Sequence, residues 1–240
     1  MKIIYSYNRS YFKLIDSEDK AYFMGLLYAD GQNHQKGNFV RLSLQESDRH
    51  ILENFIECIE GNNVLGFLNR KSKNHSNQYY LQLNSKEICN DLFELGCGQN
   101  KTKILRYPTD IQLPKYLTNH FIRGYFDGDG SVWEGKRKLC LIKDKHHSKG
   151  ERIRIIHNVK FNLTGTIAMM LGIQNVLVTE LGFKQNKINT SKNIRNCVQL
   201  EYSGRKQMKK FYDFIYEDSK SYFFRKKEKF ETIIFGDYER

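Results

Sequence analysis

The chain has 240 residues, of which 39 are lysine or arginine and 27 are aspartate or glutamate, so its formal net charge at pH 7 is +12. With 40% hydrophobic and 13% aromatic residues, it can bury a core, which excludes a disordered protein. The positive charge favours nucleic acid as a partner over an anionic membrane, with a basic protein that binds neither as the alternative. The five cysteines include no Cys-x-x-Cys pair, and no signal peptide or membrane-spanning run is evident, so we expect an intracellular protein with reduced thiols.

The first half of the chain alternates between helical and strand patterns. Its predicted elements are a helix over 18–29, a polar turn or strand start over 32–37, a strand over 38–45, a helix from 48 to about 60, hairpin strands over 64–71 and 78–83, and a helix over 85–95. In the strand over 38–45, Arg41, Ser43 and Gln45 alternate with apolar residues. One face of that strand should therefore be buried and the other polar.

The second half repeats this order. Its predicted elements are a helix over 115–127, a long basic stretch over 136–152, a strand over 153–163, a helix over 166–181, a strand over 194–202, a helix over 205–216 and a closing segment over 222–234. Residues 39–48 align with 158–167, apolar for apolar and basic for basic, and residues 98–105 match 223–230 loosely. We infer an internal duplication with a pseudo-two-fold axis. The two halves are 1–110 and 111–240.

One stretch occurs in both halves. Residues 21–31 read AYFMGLLYADG and residues 120–130 read HFIRGYFDGDG. Small residues recur in each copy at a spacing of four, which places them in one stripe along a helix. They are Ala21, Gly25 and Ala29 in the first copy and Gly124 and Gly128 in the second. Such stripes let two helices approach closely, because no bulky side chain separates their axes.

Each stripe is followed at once by an acid, Asp30 or Asp129. If the two helices pack side by side, both carboxylates arrive at the same end and repel each other unless a cation lies between them. Mg²⁺ suits such a pair, since it binds a few carboxylates together with water and phosphate oxygens. Turn or capping chemistry is the alternative, and it explains one Asp-Gly pair better than two. A calcium loop starting at Asp127 is excluded, because its twelfth position is Lys138 and not glutamate.

The segments GLLYADG and GYFDGDG resemble the paired LAGLIDADG motifs of homing endonucleases, and the elements around each motif fit the same family. The resemblance covers nearly the whole chain. It implies an α+β fold in which two αββαββα halves form a saddle of two antiparallel sheets, with the motif helices paired at the centre. It also implies a site-specific endonuclease that cuts both strands of a DNA duplex.

The resemblance further implies which residues hold the metal. Asp30 and Asp129 would bind Mg²⁺ (or Mn²⁺) at the scissile phosphates, with the backbone carbonyls of Ala29 and Gly128 as adjacent ligands. The first motif departs from the family pattern, because Tyr28 stands where an aspartate is usual. That position caps or packs against the partner helix in the family. The change does not by itself remove catalysis, but it could weaken helix pairing.

The family also places basic and polar residues near the acids. Lys101 and Lys226 are the best-placed lysines for stabilising charge in the transition state, with Lys103 and Lys227 as rivals and a solvated surface lysine as the alternative for each. Gln45 and Thr164 are predicted at matching strand ends, where they could orient the attacking water.

DNA contacts are predicted on the polar strand faces and the basic loops. The candidates for reading bases are Arg41, Ser43, Arg152, Arg154, Asn158, Lys160 and Asn162. The candidates for contacting phosphates are Arg70, Lys71, Lys73, Lys136, Arg137 and Lys138. Any one of these could be an ordinary solvated residue. We interpret Trp133 as a packing residue, and His146 and His147 as loop residues.

The sequence therefore predicts a monomeric, intron-encoded nuclease that binds a long, nearly asymmetric duplex and leaves a staggered break. It would act in the cytoplasm of a bacterium or phage-infected cell, or in an organelle, with host intron RNA as a possible further partner. The alternatives on the same scaffold are a group I intron maturase and a non-catalytic DNA-binding regulator. An intein is not favoured, because Met1 and the ending DYER lack splice-junction residues.

Overall fold

The computed structural model describes residues 5–69, 76–99, 101–141, 152–190 and 197–236. Within these ranges, the side chains of 102, 103, 136–141, 152–157 and 190 are not described. Two antiparallel sheets and the helices around them make up the described residues, so the predicted α+β class is confirmed. Within these ranges, no helix is long and apolar enough to cross a membrane.

The first half forms the predicted helix–strand–strand pattern twice. Its elements are α1 (Glu18–Ala29), β1 (Gly31–His34), β2 (Phe39–Gln45), α2 (Arg49–Cys58), β3 (Gly66–Leu68), β4 (Gln78–Leu83), α3 (Lys86–Glu94) and α4 (Lys101–Ile104). The sheet has the order β1-β2-β4-β3. In β2, Val40, Leu42 and Leu44 are buried, whereas Phe39 and the polar residues of the other face are partly exposed, as the alternation predicts.

The second half forms a second sheet with the same topology. Its elements are α5 (Thr118–Asp129), β5 (Gly130–Leu141), β6 (Arg152–Gly165), α6 (Ile167–Leu181), β7 (Asn189–Thr190), β8 (Val198–Ser203), α7 (Arg205–Tyr216) and α8 (Phe224–Phe235). The strand order is β5-β6-β8-β7, which repeats the order of the first sheet.

The two motif helices α1 and α5 lie against each other in the core. A Cβ atom added to Gly25 would lie 2.1 Å from the carbonyl oxygen of Phe121, and one added to Gly124 would lie 2.0 Å from that of Tyr22. Real Cβ atoms do not approach backbone this closely, so only glycine fits at both positions. The contact is reciprocal between the halves, which confirms the close helix approach that the small-residue stripes predict.

Gly25 and Gly124, with the backbone they touch on the partner helix, form a glycine seam between α1 and α5. Polar contacts also join the two halves away from this seam. Arg123 of α5 is fully buried and donates to Glu18 of α1 over 2.8 Å. Asp48, at the start of α2, is buried and accepts from Arg225 of α8, with Nη2 3.0 Å from Oδ2. Each of these ion pairs therefore joins a charged group of one half to a charged group of the other.

The structure extends the sequence prediction in three places. Residues 136–141 of the predicted basic stretch belong to β5, which pairs with β6 over its whole length. The closing segment over 222–234 is largely helical, as α8. The second motif helix continues to Asp129, two residues beyond its predicted end.

The alignment of 39–48 with 158–167 is also wrong, by two residues. Gly31 pairs with Leu42 in the first sheet and Gly130 pairs with Leu163 in the second. Leu42 therefore corresponds to Leu163 and not to Phe161. The connections that lead away from the two strands differ in length, and a comparison of apolar patterns cannot detect that difference.

Candidate active site at the ends of the motif helices

The two motif acids lie together at one end of the helix pair. Asp30 follows α1 directly and its N–H donates to the Leu26 carbonyl over 2.9 Å, while Asp129 is the last residue of α5. A Cβ atom added to Gly128 would lie 3.0 Å from a carboxylate oxygen of Asp30 and 2.3 Å from the Cβ of Ala29. The carboxylate of one helix therefore touches the end of the other.

The environment of the acids raises their pKa values. Both residues are exposed at the surface, but the surrounding protein still removes enough water from their carboxyl groups to disfavour the charged form. Burial, assisted by the negative charge of Asp30, raises the pKa of Asp129 to about 6. Burial also raises the pKa of Asp30, against the opposing effect of Lys101 and Lys226. The two carboxylates therefore repel each other when both are ionised, as the sequence predicts.

The two predicted lysines both reach the carboxyl ends of the motif helices. Lys226 is 8% exposed, and its ammonium donates to the carbonyls of Phe126 over 2.7 Å and Gly130 over 2.6 Å. Lys101 donates to the carbonyl of Ala29 over 2.8 Å. Burial lowers the pKa of Lys101, and it lowers the pKa of Lys226 to about 8. Both ammonium groups are close enough to the acids to influence their ionisation.

Of the two rival lysines, only Lys227 has a described side chain, and its ammonium lies over an aromatic ring. The ammonium of Lys227 lies 4.1 Å from the centre of the Tyr222 ring, and the side chain of Lys103 lies outside the description. Lys226 therefore has the better geometry of the two candidates in α8.

Gln45 and Thr164 do not occupy matching positions. The corrected alignment matches Thr164 with Ser43, and Gln45 with Thr166, the residue that caps α6. Thr164 lines a cavity of about 150 Å³ beside Asp129, together with Lys101. Gln45 lies at the end of β2, opposite Gln78.

The departure at Tyr28 is accommodated by packing. Tyr28 is 1% exposed, donates its hydroxyl to the Leu95 carbonyl, and packs edge-to-face on the Phe121 ring of the partner helix at 5.1 Å. At the equivalent position, Asp127 accepts hydrogen bonds from the Tyr22 hydroxyl and the Phe223 N–H, both over 2.9 Å. Each residue thus joins its motif helix to the partner helix, one through a ring and the other through a carboxylate.

One charged pair near the site was not predicted. Burial raises the pKa of Asp30, and the positive charge of Arg225, beside Lys226, partly opposes that rise. The guanidinium of Arg225 is held by the buried carboxylate of Asp48. In the sequence, Asp48 is only the first residue of a predicted helix. The two residues lie 177 positions apart, so no local pattern reveals that they meet.

The first sheet presents a polar face. Arg41 of β2 donates through Nε to the side-chain oxygen of Gln82 over 3.0 Å and lies 4.8 Å above the centre of the Tyr80 ring. Ser43 pairs with Tyr80, and Gln45 with Gln78, in the register of β2 with β4. Donors and acceptors of the kind that contact base edges therefore share this face.

The second sheet presents a similar face with an acid on it. Lys160 of β6 is paired with Glu201 of β8 over 2.7 Å, and Asn162 accepts from Ser131 over 3.2 Å. Trp133 is 45% exposed and lies under the Lys160 ammonium, 5.3 Å from the ring centre. The expectation that Trp133 is simply a packing residue is therefore only partly right.

Asn158 of β6 is exposed and pairs with Gly135 of β5. The other candidates for DNA contacts fall outside the described side chains. For Lys136, Arg137, Lys138, Arg152 and Arg154 the structure gives only the backbone register of β5 with β6. Arg70, Lys71, Lys73, His146 and His147 lie outside the described residues.

The donors at the helix ends are compatible with a divalent cation. Two carboxylates from opposite helices meet there, beside the backbone carbonyls of Ala29 and Gly128. Mg²⁺ commonly binds proteins through one or two carboxylates, with the remaining positions taken by water and phosphate oxygens. In the described part of the chain, no set of three or more His, Cys, Asp or Glu residues converges as a metal site. Asp30 and Asp129 therefore form a two-carboxylate set, which any ion bound there would have to complete with water, phosphate or backbone oxygens.

Comparison with known proteins supports the fold. No protein-family model and no curated protein matches the chain. Among solved structures, the LAGLIDADG homing endonuclease I-LtrWI bound to target DNA matches with a TM-score of 0.55 and 12% identity, over 95% of this chain and 90% of that one. The meganuclease I-SmaMI bound to uncleaveable DNA matches with a TM-score of 0.49 and 12% identity, over 83% of this chain and 85% of that one. The LAGLIDADG meganuclease I-AabMI bound to uncleaved DNA matches with a TM-score of 0.44 and 14% identity, over 80% of this chain and 81% of that one. The chain therefore has the fold of the LAGLIDADG homing endonucleases.

Proposed function

We propose that this protein is a divalent-metal-dependent endonuclease that cuts both strands of a DNA duplex at a specific site. The observation that carries the proposal is the meeting of Asp30 and Asp129 at one end of two helices joined by glycines. Two neighbouring carboxylates repel each other, so the doubly ionised pair is unfavourable unless a cation lies between them. The likeness in fold to I-LtrWI, a homing endonuclease bound to target DNA, supports the same conclusion.

In this proposal each motif helix supplies one acid to a pair of catalytic positions. Asp30 and Asp129 hold Mg²⁺ or Mn²⁺, and the glycine seam fixes the distance between them. The bound ion would polarise the scissile phosphate and favour ionisation of the attacking water. The positive charges of Lys101 and Lys226 favour the ionised form of both acids and would offset charge that develops on the phosphate.

The polar sheet faces are proposed to bind DNA. Two-stranded antiparallel ribbons fit the major groove, where arginine, lysine and asparagine side chains bond to base edges. Arg41 of the first sheet, and Lys160 and Asn162 of the second, are placed for this role. Because the two faces carry different side chains, the preferred site should be nearly asymmetric. One chain supplies both halves of the site, so we propose that the protein acts as a monomer.

The proposal can be tested although the target sequence is unknown. DNA spanning the host insertion junction, or duplexes selected from a random library by binding in Ca²⁺, would be incubated with the protein and Mg²⁺. We expect cleavage of both strands, and its loss in Asp30→Asn/Asp129→Asn. Asp110→Asn, which changes an exposed acid far from the motifs, is the matched control and should cleave normally. Equal cleavage by the double variant would show that the acids do not carry the reaction.

The same experiment addresses the binding proteins that could share this fold. A DNA-binding regulator would select a specific duplex but leave it intact in Mg²⁺ and Mn²⁺. An intron maturase would instead bind host intron RNA and promote its splicing. The acid pair favours the nuclease, because a protein that only binds has no need of two repelling carboxylates.

A further inference from the structure

Two buried ammonium groups occupy the carboxyl ends of the motif helices. Lys226 contacts four carbonyl oxygens at the end of α5; the distances are 2.7 Å to Phe126, 2.5 Å to Asp127, 3.3 Å to Gly128 and 2.6 Å to Gly130. Lys101 contacts two at the end of α1; the distances are 2.5 Å to Leu27 and 2.8 Å to Ala29. These carbonyls carry the partial negative charge of a helix terminus, and a nearby cation stabilises them.

The arrangement is repeated by the pseudo-two-fold axis. The two carbonyls that Lys101 contacts belong to residues 27 and 29, and their equivalents 99 positions later, 126 and 128, both accept from Lys226. Two lysines that reach equivalent carbonyls in both halves argue against a chance packing contact. The neighbouring Lys227 does not share the arrangement, because its ammonium lies over the Tyr222 ring.

These carbonyls include the ones that lie beside the acids. Ala29 and Gly128 directly precede Asp30 and Asp129, so a divalent ion held by the acids would lie next to their carbonyl oxygens. Each ammonium therefore sits where positive charge is needed when no metal is bound. An ammonium and a divalent ion repel each other and require the same oxygen atoms.

We propose that Lys101 and Lys226 are the resident cations of the metal-free protein, and that a divalent ion binding at the acids displaces each ammonium from the carbonyl of Ala29 or Gly128. The inference rests on the proposed metal site. It gives the lysines a second role, because they hold the motif helix ends in place before metal arrives. It also makes metal binding weaker than the acid pair alone would allow, because the ion must compete with the lysine.

The test uses the full chain without DNA. Thermal unfolding would be followed during titration with Ca²⁺ for wild type, Lys226→Met and Lys227→Met. Without Ca²⁺, we expect Lys226→Met to unfold at a lower temperature, because several buried carbonyls lose their donor. With Ca²⁺, it should recover stability and show an affinity at least about tenfold tighter than wild type, read from the dependence of Tm on ion concentration. Lys227→Met should match wild type in both respects.

Simple charge repulsion is controlled with Arg225→Gln. Arg225 acts on Asp30 through its charge, but its guanidinium is paired with Asp48 on the other half. If Arg225→Gln tightens Ca²⁺ binding as much as Lys226→Met does, competition for carbonyls is refuted. If Lys226→Met does not fold, Lys101→Met, which leaves fewer carbonyls without a donor, provides the same comparison.

The remaining outcomes separate this inference from the proposed function. Equal Ca²⁺ affinity in wild type and Lys226→Met would overturn the displacement and leave the metal site intact. Weaker affinity in the variant would overturn it as well, since the lysine would then support the metal. No effect of Ca²⁺ on the unfolding of any variant would overturn both the inference and the proposed metal site.

Discussion

The contact between Gly128 and Ala29 predicts that one added methyl group will disturb the site. In Gly128→Ala the new Cβ would lie 2.3 Å from the Cβ of Ala29, whereas carbon atoms pack at about 3.5–4.0 Å. The helix ends must therefore separate by more than about 1 Å. Overpacking against atoms fixed to backbone should cost about 3 kcal/mol, and the better helix propensity of alanine returns up to about 1 kcal/mol. We expect a net loss near 2 kcal/mol.

The assay combines thermal unfolding with DNA cleavage. A net loss of about 2 kcal/mol corresponds to a Tm lower by about 4–8 °C in a protein of this size. Cleavage should fall by about 100-fold, because a displacement near 1 Å at the acids disrupts their geometry. The matched variant is Ala29→Gly/Gly128→Ala, which moves the methyl group from one helix to the other. Its changes in helix propensity cancel, so it should recover most of the lost stability and activity.

Two results would contradict this reasoning. Wild-type Tm and activity in Gly128→Ala would show that the helix ends separate without consequence. A swapped variant as poor as the single variant would show that glycine at 128 is required for a reason other than the contact with Ala29.

Four further perturbations address the surroundings of the seam. Asp30→Asn should lower the pKa of Asp129 from about 6, because it removes a neighbouring negative charge; an unchanged carboxyl NMR titration would show that the acids do not interact. If the ionised form of Asp129 is required, wild-type cleavage should fall as the pH drops through about 6. Arg225→Gln should reduce the free energy of unfolding in urea by about 1–3 kcal/mol, less than for a fully buried pair, because Asp48 loses a partly exposed partner. Tyr28→Asp restores the usual motif residue, yet it should reduce the free energy of unfolding by more than about 3 kcal/mol, because it buries a carboxylate in place of a ring. Tyr28→Phe, which loses only the hydroxyl, should reduce it by about 1 kcal/mol in the same measurement.

The sequence predicts the motif helices well because local and tertiary signals agree there. Helix α1 begins after Ser17, which accepts a hydrogen bond from the Lys20 N–H, and it ends at the predicted Asp-Gly pair. The stripe of small residues predicts the helix partner as well as the helix itself. The duplication then places Asp30 and Asp129 together, and the match between 98–105 and 223–230 identifies both lysines.

Other parts of the site depend on loop lengths that no local pattern reveals. In the first hairpin, four residue pairs join β1 to β2, starting at Gly31 and Leu42. In the second hairpin, twelve pairs join β5 to β6, starting at Gly130 and Leu163. Strand β5 is therefore read as a basic stretch, although its residues continue the ladder. A slip of two residues in the strand alignment keeps polar opposite polar, so it is invisible in the alternation.

The ion pair between Asp48 and Arg225 could not be predicted for a different reason. Neither residue stands out in composition or spacing, and the contact joins α2 of one half to α8 of the other. Only the tertiary arrangement of the halves decides that a buried aspartate receives its cation from 177 positions away.

The glycine seam also has a consequence for biosynthesis. Gly25 and its partner Gly124 are separated by 99 positions, so α1 is made long before the helix that covers it. Translation adds about 5–20 residues per second, so the apolar surface of α1 stays uncovered for roughly 5–20 s before α5 is synthesised. During that time it can associate with other nascent chains or with chaperones. The yield of folded protein should therefore depend on translation speed between the two motifs, a demand that a protein with only local contacts does not face.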